Sequence, residues 1–177
     1  MPDTLLASLS STLKLSTREE IARTLGESEQ AVSRGLELAT AAVFDGLHRQ
    51  IGQSDAVRQV IDLASKAPAD IGSAVNASQL ANPASALITG GKKFLSSVLG
   101  PGQEATLSTI GRESGLRAAS AATVLALAGQ SVLSFIGTRV RNEGMTATAL
   151  AAFLQSEVSG MRAGSAAAFH ETPATPR

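Results

Sequence analysis

AASAATVLALAGQSVLSFIGT, residues 118–138, carries no charged side chain, and Arg117 and Arg139 close it on either side. Read as a helix, it spreads Val124, Leu125, Leu127, Val132, Leu133, Phe135 and Ile136 around most of its circumference, with Ala, Ser and Gly between them. A surface helix gathers its apolar residues into one stripe, whereas a helix that is apolar nearly all round has to be covered on every side. The stretch is therefore the central helix of a bundle or a membrane span. Its 21 uncharged residues are long enough to cross a hydrocarbon layer of about 30 Å, but Ser, Thr, Gly and Gln dilute the transfer energy, which favours the bundle.

Outward from this helix the chain reads as helices separated by breakers. Leu5, Leu6, Leu9 and Leu13 share one face of a short helix, and Ser16-Thr17-Arg18-Glu19 is a capping box that opens another, ended by Gly26. From about Ser28 to Ile51 a long helix carries Val32, Leu36, Ala39, Val43 and Leu47 at three- and four-residue spacing. Ser54 and Asp55 open a further helix, which the chain leaves near Pro68. Residues 67–91 hold Pro68, Gly72, Pro83, Gly90 and Gly91 and read as a connector with at most a turn or two of helix. A helix from Lys92 breaks at Gly100-Pro101-Gly102, another runs from Gln103 to Ser114, and Gly115 precedes the central helix. Asn142-Glu143-Gly144 reads as a turn, Thr146 to Ser159 as the last helix, and the chain from Ala163 as a tail. The expected architecture is an all-α helical bundle, one domain over 1–162 with a tail or linker over 163–177.

Sliding the chain against itself by 89 residues aligns Leu6 with Leu95, Thr17 with Thr106, Ile21 with Ile110, Arg23 with Arg112, Gly26 with Gly115, Leu36 with Leu125, Ala39 with Ala128 and Val43 with Val132. Ser8 on Ser97 and Leu38 on Leu127 add to these. Ala- and Leu-rich helices align readily with one another, but two breakers, here Gly26 and Gly115, rarely align by composition alone. It predicts two copies of one helical unit, 1–66 and 92–162, joined by the connector and packed through their long helices.

The segment from Gly91 to Glu157 resembles the YidB-like bacterial proteins, domain-of-unknown-function family 937, in its helix ending at Ser114-Gly115-Leu116, its Ala/Ser/Leu helix over Leu125 to Gly137, and its closing helix over Gly144 to Leu154. The run from Ala22 to Val32 is similar to that family's front portion. The resemblance implies an all-helical domain with no assigned activity. It further implies that longer relatives continue through a Pro-rich linker into one membrane-spanning helix and a peptidoglycan-binding OmpA-like domain, a linker whose beginning Thr172-Pro173-Ala174-Thr175-Pro176 matches in composition.

Composition narrows the chemistry. Formal net charge is zero, so no global field draws the chain onto nucleic acid or anionic lipid. There is no cysteine, which excludes disulfides and thiolate chemistry. With five Phe and neither Trp nor Tyr, platforms for stacking bases are scarce. The start, MPDTLLASLSSTLKL, has an acidic residue where a signal peptide needs a basic one, and a cytoplasmic location is expected, tethered to the inner membrane only through a segment beyond residue 177.

Against that background each candidate site is weak. Ala22, Gly26 and Val32 have helix-turn-helix spacing, and DNA readout would fall to Ser28, Gln30, Ser33 and Arg34 at the start of the second helix. Glu27 and Glu29 beside them repel phosphate, which argues for a structural corner. His48 has Asp45 three residues before it and no third ligand nearby, and His170 stands alone in the tail, so no metal site is expected. No Gly-x-Ser-x-Gly elbow is present, and Gly90-Gly91-Lys92-Lys93 lacks P-loop spacing. No catalytic, cofactor or metal residue is assigned, and no small-molecule substrate is expected. The leading expectation is a non-enzymatic interaction or structural module with a protein partner or a second copy of itself. Its rivals are a DNA-binding regulator and an apolar-ligand carrier holding lipid among Val43, Leu47, Val132, Phe135 and Ile136.

Overall fold

The computed structural model describes residues 15–69 and 71–168. Among them every regular element is a helix and none is a strand: α1 (Leu15–Leu25), α2 (Glu29–Gln50), α3 (Ser54–Ser65), the short α4 (Ile71–Ala74) and α5 (Ala77–Ala81), α6 (Ala86–Val98), a 3-10 turn at Gly100–Gly102, α7 (Gln103–Ser114), α8 (Ala118–Glu143) and α9 (Ala147–Ala168). The fold is all-α. The helix expected around Leu5 to Leu13 lies outside the described residues.

α8 is the axis, and α6, α2 and α3 pack along it most extensively. Every residue from Val124 to Ser134 is buried, whichever way it points. By length and composition α8 could cross a membrane, with an 18-residue window of mean hydropathy 1.6, yet 78% of that window is buried against the rest of the protein. The uncharged run is accounted for by the helices around it.

Side chains this small bury little apolar area each, so α8 depends on close approach. Gly91 of α6 faces the Ala126 carbonyl oxygen, and a Cβ there would penetrate it. Gly129 on the opposite wall lies against Leu95 and the Gly91 carbonyl. At the far end of α8, Gly137 meets the Ala64 carbonyl of α3 in the same way. A glycine inside a helix costs about 1 kcal/mol relative to alanine, but the backbone contacts at these crossings cannot form with any side chain in between.

The helix ends follow their local chemistry. α1 stops at Gly26, whose φ of 64° is left-handed, and the Glu27 amide donates to the Ala22 carbonyl while the Gly26 amide donates to that of Arg23. This is the paired closure of a Schellman motif. Ser28 caps α2, its Oγ accepting from the Ala31 amide at 3.1 Å, an interaction worth about 1 kcal/mol. Gly115, at φ 80°, ends α7.

Several boundaries depart from the sequence expectations. Ser16 sits inside α1, so no capping box forms there. The supposed connector over 67–91 contains α4, α5 and the first turns of α6, because Ser85 caps a helix that starts at Ala86. Gly90 and Gly91 are therefore helical, and their role is the crossing with α8 rather than a loop. α8 continues past Arg139 to Glu143, where Gly144 at φ 60° ends it, since the extra turns carry Arg141 to the end of α3. α9 extends to Ala168, beyond the expected stop at Ser159; residues 169–177 lie outside the described residues.

A Gly91→Ala substitution gains about 1 kcal/mol of helix propensity but drives a methyl group into backbone that cannot move aside, and overpacking of this kind costs about 3 kcal/mol. The expected net result in thermal denaturation is a melting temperature lower by several degrees. Gly52→Ala, with nothing within 4 Å of its Cβ, is expected to stay within about 0.5 kcal/mol of wild type.

Candidate functional site

α1 and α2 pack on each other across the turn at Gly26. Ala22 and Val32 are both buried. The side chains expected to read DNA fare differently. Ser28 is occupied in capping, and Gln30 and Arg34 are exposed with Ser33 half-buried beside them. Arg34 pairs with Glu37 at 3.6 Å, and the depression these residues border is also lined by Glu113 and Ser114. The structure brings Gln30, Ser33 and Arg34 together beside Glu37 and Glu113, and leaves Ser28 out of this depression.

The corner is instead clasped by the start of α8. The Arg117 guanidinium donates to the Leu25 and Gly26 carbonyls, and its Nε lies 2.9 Å from Glu27 Oε1. The Arg117 backbone amide donates to the same oxygen at 3.2 Å. A hydrogen bond from Ser120, together with Arg117, lowers the Glu27 carboxyl from 4.5 to about 2. One carboxylate thus ties together two turns 90 residues apart. At the other end of α8, Arg141 serves the same purpose, with Nη1 reaching the carbonyls of Ala64, Ser65 and Ala67 where α3 runs out of internal donors.

His48 presents a buried Nδ1 without a partner among the described residues. Asp45 is drawn to Arg49 at 3.4 Å. Among the described residues no three His, Cys, Asp or Glu side chains come together to hold a metal ion. Val43, Leu47, Val132 and Ile136 are buried and fill the core. Phe135 is half-buried and stacks on Phe153 of α9 at 6.3 Å between ring centroids, with the Arg139 guanidinium over both rings.

The open space lies elsewhere. An open-sided cavity of about 550 Å³ is bordered by α3, the α4–α5 segment, α6 and α8. Leu63, Ala67, Pro68, Leu87 and Leu133 form apolar walls, and Lys66, Asn76, Gln79 and Lys93 add polar groups. Gln130 lines it too, only 3% exposed, and its Oε1 is buried without a hydrogen-bond partner. Its neighbours on α8 show the ordinary solution: Ser131 bonds the Leu127 carbonyl and Ser134 the Pro68 carbonyl. An unpaired buried amide costs about 1–3 kcal/mol; Arg18 Nε and His48 Nδ1 are also unpaired, but on half-buried side chains, whereas Gln130 is buried as a whole. Sequence reasoning passed over it, although a lone carboxamide in an uncharged run was the visible signal; the cavity in front of it depends on α4 and α5, whose positions the sequence pattern leaves open.

Fold and site together define an all-α bundle wound around a buried apolar helix and opened on one side by a small-molecule-sized cavity. Residues 7–139 match the family model of a bacterial protein of unknown function, DUF937, about three quarters of the 177 residues, and the chain belongs to that family. The match takes in α1 to α7 and most of α8 and leaves α9 outside it. No curated protein and no solved structure matches the chain.

Since the Glu27 carboxyl titrates below its ordinary 4.5 when folded, the clasp contributes its full stability above about pH 4.5 and loses it as pH falls toward about 2. A Glu27→Gln chain is expected to melt below wild type at neutral pH, with the gap closing over that acid range. Thermal melts at a series of pH values measure it; a gap independent of pH would mean that Glu27 is no clasp.

Proposed function

We propose that this chain is a non-enzymatic helical interaction module whose contact surface is the aromatic pair Phe135 and Phe153 with Arg139 above it. The observation that carries this reading is where the aromatic side chains go. The chain has five Phe and no other aromatic residue; Phe44 and Phe94 are fully buried, while Phe135 and Phe153 are half-buried at the surface of α8 and α9. Aromatic and Arg side chains are the groups that protein interfaces concentrate. Met145 and Val140, partly buried nearby in the chain, extend the apolar character. The interior polar side chains are committed to structure: Ser85 caps α6 and Ser131 and Ser134 bond backbone carbonyls. A carboxamide such as Gln130 is neither a nucleophile nor a general acid or base at neutral pH.

The same reading makes the two halves copies of one unit. The starts of α7 and α8 fall within a residue of the 89-residue offset from those of α1 and α2, and α1 and α7 both end at a left-handed glycine. Buried Ile21, Leu36, Ala39, Val43 and Leu47 correspond to buried Ile110, Leu125, Ala128, Val132 and Ile136. The copies have diverged in their surroundings, since α7 packs on α2 whereas α1 packs on α5. The resemblance to YidB-like proteins and the linker-like composition of Thr172 to Pro176 support a place on the cytoplasmic side of the envelope, as the front of an OmpA-type protein.

Sedimentation of the purified chain and of a Phe153→Glu variant tests the contact surface, together with cross-linking in cells from a photoreactive residue at position 153. The expected result is a discrete protein adduct, or a concentration-dependent dimer that the variant loses while keeping its helical circular dichroism. A salt-titrated gel shift on random duplex is expected to show no shift, because each phosphate contact would give steep salt dependence. A shift abolished by Arg34→Ala would replace this reading with the DNA-binding one.

A further inference from the structure

We propose that the cavity beneath Gln130 is a binding site for a small amphipathic anion that carries a hydroxyl or carbonyl group on an apolar body. Its volume of about 550 Å³ falls within the range of small-molecule sites, which are typically apolar with a few placed polar groups. Gln130 is the polar group at depth, 3% exposed and with its Oε1 unpartnered. The carboxamide Nε2 donates, and a hydroxyl or a carbonyl oxygen accepts equally well from it.

The position of Gln130 is held from behind. A Cβ on Gly90 would lie 2.6 Å from its Oε1, so the oxygen is sealed against the bare backbone of α6 and Nε2 is the amide atom left to donate to a ligand. A packing role alone would be met by methionine or leucine, without an orphan acceptor.

Charge decides the other end of the ligand. Lys66 and Lys93 line the cavity and are exposed, and among the described residues no carboxylate lines it. Lys66 is engaged by Asp62 at 2.8 Å, whereas Lys93 has no ion pair among the described residues. Gly90 and Lys93 are three residues apart on α6 and so occupy one face, separated by about 5 Å along the helix axis. A ligand hydrogen-bonded at Gln130 can therefore place an anionic group at Lys93 within the reach of a lysine side chain, with its apolar body against Leu63, Leu87 and Leu133.

Isothermal titration of the full chain with 3-hydroxydecanoate and with decanoate tests this. One saturable site is expected for 3-hydroxydecanoate, with decanoate about tenfold weaker because it leaves the Gln130 amide unpaired. Gln130→Met, close in shape, is expected to melt higher than wild type and to bind the two probes alike, at the wild-type decanoate level. Lys93→Ala is expected to weaken both probes and flatten their salt dependence. Equal affinity of wild type for the two probes, binding unchanged in Lys93→Ala, or no saturable heat with 3-hydroxydecanoate would overturn the proposal. The wild-type comparison and the exposed Lys93→Ala variant keep it decidable even if Gln130→Met fails to fold.

Discussion

The approach of the α6 backbone to the α8 backbone, with Gly91 set against the Ala126 carbonyl, is the constraint on which the rest of the molecule depends. A helix built of Ala, Ser, Gly and Val presents shallow ridges, and dispersion between such surfaces is appreciable only at short range. Bringing the axes close lets α6, α2 and α3 enclose α8 without bulky side chains. The same closeness explains how a run with the composition of a membrane span is accommodated inside a globular bundle, as the interior supplies contacts on every face. It also explains why so much of the chain is glycine and alanine: bulk at the crossings would separate the helices and expose the uncharged run.

Enclosing a long helix leaves the ends of shorter ones to be satisfied, and arginine does this at both ends of α8. Arg117 covers the carbonyls that close α1, and Arg141 covers those that close α3. Guanidinium groups suit the task because they carry several donors on a flexible apolar stem. The two arginines fix the ends of α8 relative to helices far away in sequence, so the register of the bundle is set by polar contacts and its compactness by glycine. Gln130 stands apart from this economy of donors and acceptors, and the cavity beside it is bordered by the short α4 and α5, elements of one turn or little more.

For the DUF937 family the structure supplies a scaffold on which functional residues can be sought. The corner between α1 and α2 is taken up by the Glu27–Arg117 clasp, which gives those residues a stabilising task whatever else they do. The surface aromatic pair and the cavity occupy different parts of the bundle, one on the α8–α9 face and the other between α3 and α6. α8 carries a residue of each, Phe135 and Gln130, less than two turns apart.

Much of this was legible in the sequence because it is decided locally. The all-α class follows from apolar residues at three- and four-residue spacing; Gly26 and Gly115 announce the ends of α1 and α7, and Ser28 the start of α2. The central place of α8 follows from the absence of charge over residues 118–138. The sequence pattern misplaced Gly90 and Gly91, which propensity assigns to a loop and a backbone crossing holds in a helix. It also stopped α8 short of Arg141, whose partners are carbonyls 74–77 residues away. The cavity at Gln130 was out of reach for the same reason: periodicity tells which face of a helix is covered, but a void is a property of several helices meeting at once, and only their tertiary arrangement decides where they fail to meet.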